Sequence, residues 1–429
     1  MTEQDHIYMR RAIQLARQGQ GWCHPNPMVG AVIVRDGRII GEGYHQKCGE
    51  LHAERNALAS LTESAQDATL YVTLEPCCHY GKTPPCTEAI IQHGIARVVV
   101  GSRDPNPRVN GGGVRILREA GIQVDTDFLR EECDALNPVF FHYIQKHTPY
   151  VIQKYAMTLD GKIATQTGAS KWITGPASRA EVQSLRHACM AIMVGIGTVL
   201  ADDPLLTCRI PGGRNPIRII ADSHLRIPLD SQLVVTAHEV PTYVVTAFPA
   251  APAQPTATEH PAAPAQPTAT EHPAVPAQPT ATEHPVAPAQ PTATEQPAAP
   301  AQPTDRSVYI SPETESKVDQ LQALGVRLLN LPSADGPGVD LKKLMQVLGE
   351  MEVDSLLLEG GGTLNESALR AGIVNEIQVH VAPKIFGGRA KSPVEGQGVN
   401  LPEEAYRFQI VGMDPVGEDI RLRCLPRTE

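Results

Sequence analysis

Residues 69–86 read TLYVTLEPCCHYGKTPPC, and the way this stretch is read decides the fold of the first half of the chain. Thr69 to Leu74 has the β-branched, apolar make-up of a strand. Cys77 follows the end of that strand, and Cys86 stands where a helix begins. Upstream, His52-Ala53-Glu54 opens another helix. One histidine and two cysteines form an N/S₂ donor set suited to Zn²⁺, with one tetrahedral position left for water. Residues at i and i+2 of a helix do not share a face, so Glu54 is expected beside that water as a proton carrier, not as a fourth ligand. Zinc lowers the pKa of its water towards ~7, which makes hydroxide available at neutral pH. His52 and Cys86 at helix starts profit from the positive end of the helix dipole, which favours thiolate. A closed structural zinc knot would need a fourth Cys or His at short spacing. Cys78 is the obvious candidate, but it adjoins Cys77 and cannot easily chelate with it.

The chain has 429 residues, a formal net charge of −10 and 9 cysteines. That length exceeds what one core normally serves, so two domains are expected. The acidic balance argues against a nucleic-acid or membrane-surface binder. Met1-Thr2-Glu3-Gln4-Asp5 is polar where a secretory leader needs a basic patch and an apolar run, and the cysteines read as reduced thiols of the cytoplasm.

A repeat of twelve residues, QPTATEHPAAPA and close variants, opens at Gln254, Gln266, Gln278, Gln290 and Gln302. Residues 249–304 hold many prolines, no lysine or arginine and no bulky apolar residue. They are expected to be disordered and partly polyproline II. His260, His272 and His284 recur there; weak metal binding and plain drift of a repeat both remain open. Tyr243 to Thr246 before the tract and Val308 to Ile310 after it read as strands, and a helix-like run from Ser316 to Leu324 stops at Gly325. The tract is therefore expected inside one domain, where loop closure cost grows only slowly with length.

The domain boundary is placed near residue 147, giving 1–147 and 148–429. Upstream, the pattern alternates: a helix over residues 5–18, strands over 29–34, 69–74 and 97–101, and helices opening near His52 and Cys86. Downstream, strands are expected over 150–156, 191–194, 217–221 and 355–358, with a helix over 178–188. Such alternation favours α/β layering in both halves. No G-x-G-x-x-G follows a strand, but Gly360-Gly361-Gly362-Thr363 after an apolar strand is a phosphate-loop candidate.

The H-x-E…P-C pattern is that of zinc deaminases. Pro25-Asn26-Pro27-Met28-Val29-Gly30, Gly43-Tyr44-His45, His52-Ala53-Glu54, Glu75-Pro76-Cys77 and Thr83-Pro84-Pro85-Cys86 resemble the bifunctional riboflavin-biosynthesis deaminase/reductases. The eight residues between Cys77 and Cys86 set the chain apart from deaminases with P-C-x-x-C. The resemblance continues through Asp104-Pro105-Asn106-Pro107 and Gly111 to Gly113. In the second half it is carried by Ala156 to Lys162, Ser170 to Thr174, Gly197 to Thr207 and Glu359-Gly360-Gly361.

The resemblance implies a cytidine-deaminase-like three-layer domain followed by a dihydrofolate-reductase-like domain that the repeat interrupts. It implies deamination of a diamino-phosphoribosylamino-pyrimidinone, then NADPH reduction of the ribosyl to a ribityl chain. Carried over, His52, Cys77 and Cys86 would hold zinc and Glu54 would be catalytic. Asn26, His45, Lys82 and Thr83 would meet the deaminase substrate. Ala156, Trp172, Thr198, Asp202, Ser223 and the loop Gly361, Gly362, Thr363, Leu364, Asn365, Glu366, Ser367 would contact NADPH. Ser170, Arg186, Leu206, Arg209 and Glu359 would line the reductase substrate side, the arginines as phosphate clamps or as salt-bridge partners. Lys154, Asp202 and Glu359 are all open as proton sources. The expected partners are a small nucleotide substrate and a second copy of the chain, with no nucleic acid or membrane. Two other readings stay open: a deaminase with a degenerate second half, and a non-catalytic zinc-binding interaction protein.

Overall fold

The computed structural model describes residues 1–80, 84–249, 311–334 and 336–427. The first half is built on strands β1 (Gly30–Arg35), β2 (Arg38–Tyr44), β3 (Thr69–Leu74), β4 (Arg97–Ser102) and β5 (Gln123–Asp125). They pair in the order β2-β1-β3-β4-β5, with β1 antiparallel to both neighbours and β3, β4 and β5 parallel. β3 and β4 are buried along nearly their whole length, as central strands covered on both faces must be. Side chains alternate across the sheet. Leu70, Val72 and Val98 face a layer with Ala57, Leu58, Ile90 and Leu117. Tyr71 and Val99 face the helix Glu3–Ala16 through Met9, Ile13 and Ala16. That helix lies so close that a Cβ on Gly30 would stand 1.9 Å from the Ala12 carbonyl oxygen. Three layers result, as expected from the resemblance.

The second half is a nine-stranded sheet. Its strands are β6 (Tyr150–Thr158), β7 (Ala191–Gly195), β8 (Ile217–Ala221), β9 (Thr242–Thr246), β10 (Arg327–Asn330), β11 (Ser355–Leu358), β12 (Glu376–Ala382), β13 (Phe408–Val416) and β14 (Asp419–Pro426). The order is β10-β9-β8-β7-β11-β6-β12-β14-β13, parallel from β10 to β12 and antiparallel in the last two pairings. The repeat lies outside the described residues, as does the strand expected at Val308 to Ile310. The chain leaves β9 and returns through the helix Pro312–Ala323 to β10, which pairs with β9 directly. β9 before the tract and β10 after it thus belong to one sheet. No helix among the described residues is long and apolar enough to cross a membrane.

The first helix illustrates how local signals are tied into this frame. Thr2 and Asp5 form a reciprocal capping box at its start. Asp5 Oδ1 also accepts from the Tyr71 hydroxyl at 2.6 Å and from Arg97 Nη1 at 2.8 Å, joining the helix to β3 and β4. Burial alone would raise this carboxyl, but the Arg97, Tyr71 and Thr2 donors outweigh it and hold it well below the usual carboxylate range. A depressed folded-state pKa gives stability that is present above the unfolded pKa and lost as pH falls. Asp5→Asn should therefore lower chemical-denaturation stability by about 2 kcal/mol at pH 7. The gap to wild type should close as the pH drops below about 4; a gap independent of pH would refute the charge argument.

Candidate active sites of the two halves

The three donors of the first site come from three different elements. His52 is the N-cap of the helix Ala53–Ala59, with extended backbone (φ −69°, ψ 164°). Cys86 is the first residue of the helix Cys86–Gln92, and Cys77 stands three residues beyond β3. Cys77 Sγ and Cys86 Sγ lie 3.4 Å and 3.5 Å from His52 Nδ1. All three donor atoms fall within 4.8 Å of one another. A tetrahedral Zn²⁺ with ordinary bond lengths needs N···S edges of about 3.6 Å, so the donors fit the ion in both type and spacing. The Cys86 amide also donates to Cys77 Sγ at 3.3 Å. Hydrogen bonding from Cys86 takes the Cys77 thiol down to about 4, while Cys86 is pushed up. The pair keeps one proton, which a cation would displace.

Glu54 is buried and lines a cavity of about 360 Å³ together with His52, Cys77, Asn26 and His45. It is not one of the clustered donors. The helical i, i+2 argument needs correcting here: His52 precedes the helix in extended conformation, so it and Glu54 reach the same cavity. Burial raises the Glu54 carboxyl, and the Cys77 sulfur adds to this. His45 is 2% exposed, and both its nitrogens are engaged, Nδ1 with the Leu51 carbonyl at 3.0 Å and Nε2 with Asn26 Nδ2 at 3.2 Å. Its first task is to orient Asn26. Lys82 and Thr83 lie outside the described residues.

The reading of single residues missed Glu75 and Asp104, both of which line this cavity. Glu75 accepts from the Gly111 and Val114 amides at 3.0 Å and 3.1 Å, anchoring the segment that carries Cys77. Gly113 serves the same contact, since a Cβ there would lie 2.1 Å from the Pro76 carbonyl oxygen. The glycine run therefore seats the ligand-bearing segment. Burial pushes Asp104 up to about 6, against the Asn106 amide that opposes it. The E-P-C spelling was the available signal for Glu75.

The second site is a cavity of about 780 Å³ at the carboxyl ends of β6, β7, β8 and β11, where ligands of open parallel sheets bind. Ala156, Ser170, Thr198, Asp202, Ser223, Glu359, Gly361, Gly362, Thr363, Leu364, Asn365 and Ser367 line it, as does Lys154. Gly361 is the N-cap of the helix Gly362–Arg370 and supplies no side-chain cap, leaving first-turn amides for an anion. A Cβ on Gly197 would meet nothing within 4 Å, and one on Gly361 only Thr198 Oγ1 at 4.0 Å. This open, glycine-walled cradle suits a dinucleotide phosphate.

Five expected residues stand outside that lining. Trp172 is 63% exposed, with the Arg179 guanidinium 4.6 Å from its ring centroid. Leu206 is a core residue at 2% exposure with φ 53°. Glu366 turns away to pair with Arg370. Arg209 is exposed, although its charge helps to hold Glu359 ionised. Arg186 departs from the clamp reading: Nε and Nη2 bond the Glu359 carboxylate at 3.0 Å and 2.9 Å, and Nη1 bonds the Thr207 carbonyl. It is a buried ion-pair partner behind the cavity wall. Burial resists ionisation of Glu359, but Arg186 and Lys154 outweigh it and lower the carboxyl. Burial in turn lowers the Lys154 ammonium, against the pull of Glu359.

Comparison with known proteins matches these two halves separately and together. Residues 2–102 match the family described as cytidine and deoxycytidylate deaminase zinc-binding region. Residues 149–272 and 290–422 match the RibD C-terminal domain, and the break falls inside the repeat. The riboflavin biosynthesis protein RibD of Actinobacillus pleuropneumoniae is 46% identical over 98% of this chain and 95% of its own length. That of Aquifex aeolicus is 38% identical over 98% of each chain. A solved structure of Acinetobacter baumannii RibD matches with TM-score 0.76 and 32% identity over 99% of both chains. The Thermotoga maritima diaminohydroxyphosphoribosylaminopyrimidine deaminase/5-amino-6-(5-phosphoribosylamino)uracil reductase matches with TM-score 0.74 and 32% identity over 99% of both. The chain belongs to the RibD family and is a bifunctional enzyme of riboflavin biosynthesis, with a deaminase half and a reductase half.

Proposed function

We propose that residues 1–147 deaminate 2,5-diamino-6-(5-phosphoribosylamino)pyrimidin-4(3H)-one with Zn²⁺, and that residues 148–429 reduce the product with NADPH. The meeting of His52, Cys77 and Cys86 beside buried Glu54 is the single observation that carries the first step. Zn²⁺ on these three donors supplies a water of lowered pKa at the cavity floor. Glu54, as carboxylate, would take both protons of the attacking water in turn, giving one to the ring nitrogen and the other to the departing ammonia. Asn26, bonded to His45, would hold the substrate.

In the second cavity the glycine loop and the Gly362–Arg370 amides would take the NADPH phosphates, with Thr198, Asp202 and Ser223 around the rest. Bound there, NADPH supplies the hydride for C1′ of the ribose. The C1′–O4′ bond opens as O4′ is protonated, leaving a ribityl chain. Lys154 is the proton source best supported: it lines the cavity, and burial favours release of its proton. Glu359 is fixed as carboxylate by Arg186, and Asp202 is exposed.

A second copy is the expected partner. β13 is a sheet edge with Ile410 and Met413 55% and 64% exposed, the kind of edge that pairs with another chain.

Cys77→Ser should lose zinc and ammonia release while still oxidising NADPH with the deaminated substrate. Glu54→Gln should keep zinc and lose at least about 10²-fold in deamination; full activity in this variant would exclude the proton role and leave a scaffold as the better reading. Lys154→Met should slow NADPH oxidation by about 10²-fold and leave ammonia release untouched. Wild-type protein that never oxidises NADPH would instead mark the second half as degenerate.

A further inference from the structure

The wall of the deaminase cavity around Asn26 is not held by the first half alone. His24, two residues before Asn26, bonds Asp354 Oδ2 through Nδ1 and the Ala188 carbonyl through Nε2, each at 2.6 Å. Both partners lie in the second half, so the ring ties the segment before Asn26 to two points there. Asp354 is 1% exposed; its other oxygen accepts from Ser355 Oγ at 2.6 Å, and its carbonyl accepts from the Tyr150 amide at 2.7 Å. Arg214 adds a bond from Nε to the Gly21 carbonyl at 2.9 Å, and His187 Nε2 meets the Gln20 carbonyl at 3.0 Å. Asp354, Arg214 and His187 are thus three groups of the second half bonded to this docked segment.

The turn that delivers Asp354 also delivers Glu352. Glu352 adopts a left-handed conformation (φ 58°), its amide bonds the Gly349 carbonyl, and it lines the deaminase cavity. The turn is tightly seated, because a Cβ on Gly349 would stand 1.9 Å from the His147 carbonyl oxygen. The Tyr143 hydroxyl donates to the Gly349 carbonyl as well. Glu352 and Glu50 both line the cavity. Carboxylates accept from hydroxyl and amine donors and repel phosphate.

We infer that the second half completes the deaminase pocket: Glu352 is a specificity residue that accepts from sugar-hydroxyl or amine groups of the nucleotide, and Asp354, through His24, is a positioning residue for Asn26. The inference rests on the deaminase reading of the first half. Its consequence is that binding at the first site depends on a turn that lies between a helix and a core strand of the second.

The test uses the full chain, with ammonia release and NADPH oxidation measured separately and zinc content determined for each variant. Exposed Glu352→Ala should raise the KM for deamination about tenfold, one lost hydrogen bond to a charged group. Its kcat should stay within about twofold, and zinc content and reductase kinetics should not change. Asp354→Asn should raise the same KM. Unchanged deamination KM in Glu352→Ala overturns the inference, as does a parallel fall of both activities in the two variants. Wild-type protein that binds zinc but releases no ammonia would sink the deaminase reading itself, a result separate from either of these.

Discussion

Two helix starts meet over the carboxyl end of one buried strand, and the chemistry of the first half depends on that meeting. His52 and Cys86 head their helices, and β3 brings Cys77 between them. None of these elements could hold the site by itself, since both helices are only seven residues long. Short helices of this kind owe their stability to packing, not to propensity. Their packing is the core built on Leu70, Val72, Ala57 and Ile90. The Glu75 carboxylate then pins the Cys77 segment to the start of a third helix through two amides. The spacing of the three donor atoms is a consequence of sheet packing.

The two sites keep their protons in opposite ways. In the first, burial raises a carboxyl. In the second, burial lowers an ammonium. The same desolvation does both, because it penalises whichever form is charged. The difference lies in the neighbours. Glu54 sits near sulfur and imidazole, whereas Lys154 faces a carboxylate that Arg186 already holds in a bidentate pair. Removing one member of that pair would leave a buried charge without its partner, the costly case.

The halves are not independent beads. Side-chain bonds from His24, Arg214 and Tyr143 cross between them, and several end on backbone carbonyls, which fixes position as well as contact. The repeat, by contrast, is introduced between two strands that pair directly. A long excursion there costs mainly loop-closure entropy, which rises only with the logarithm of length. This explains how the sheet tolerates it.

Much of this was legible in the residues. β3 and β8 run over the residues that their apolar runs indicate, and His52, Cys77 and Cys86 are a chemically distinctive donor set at helix and strand ends. Element identity follows from local pattern, and metal ligands follow from donor chemistry; both are properties of the chain itself. Where a side chain points is different. Leu206 lies in the core with left-handed backbone, Trp172 stands exposed under Arg179, and Arg186 is consumed by Glu359. Glu352 reaches a cavity built by residues some three hundred positions earlier in the chain. Those outcomes depend on which surfaces the tertiary fold brings together and which charges it buries side by side, and no local spacing encodes them. The sequence determined the elements and the donor set, and the packing of one half on the other decided who lines each cavity.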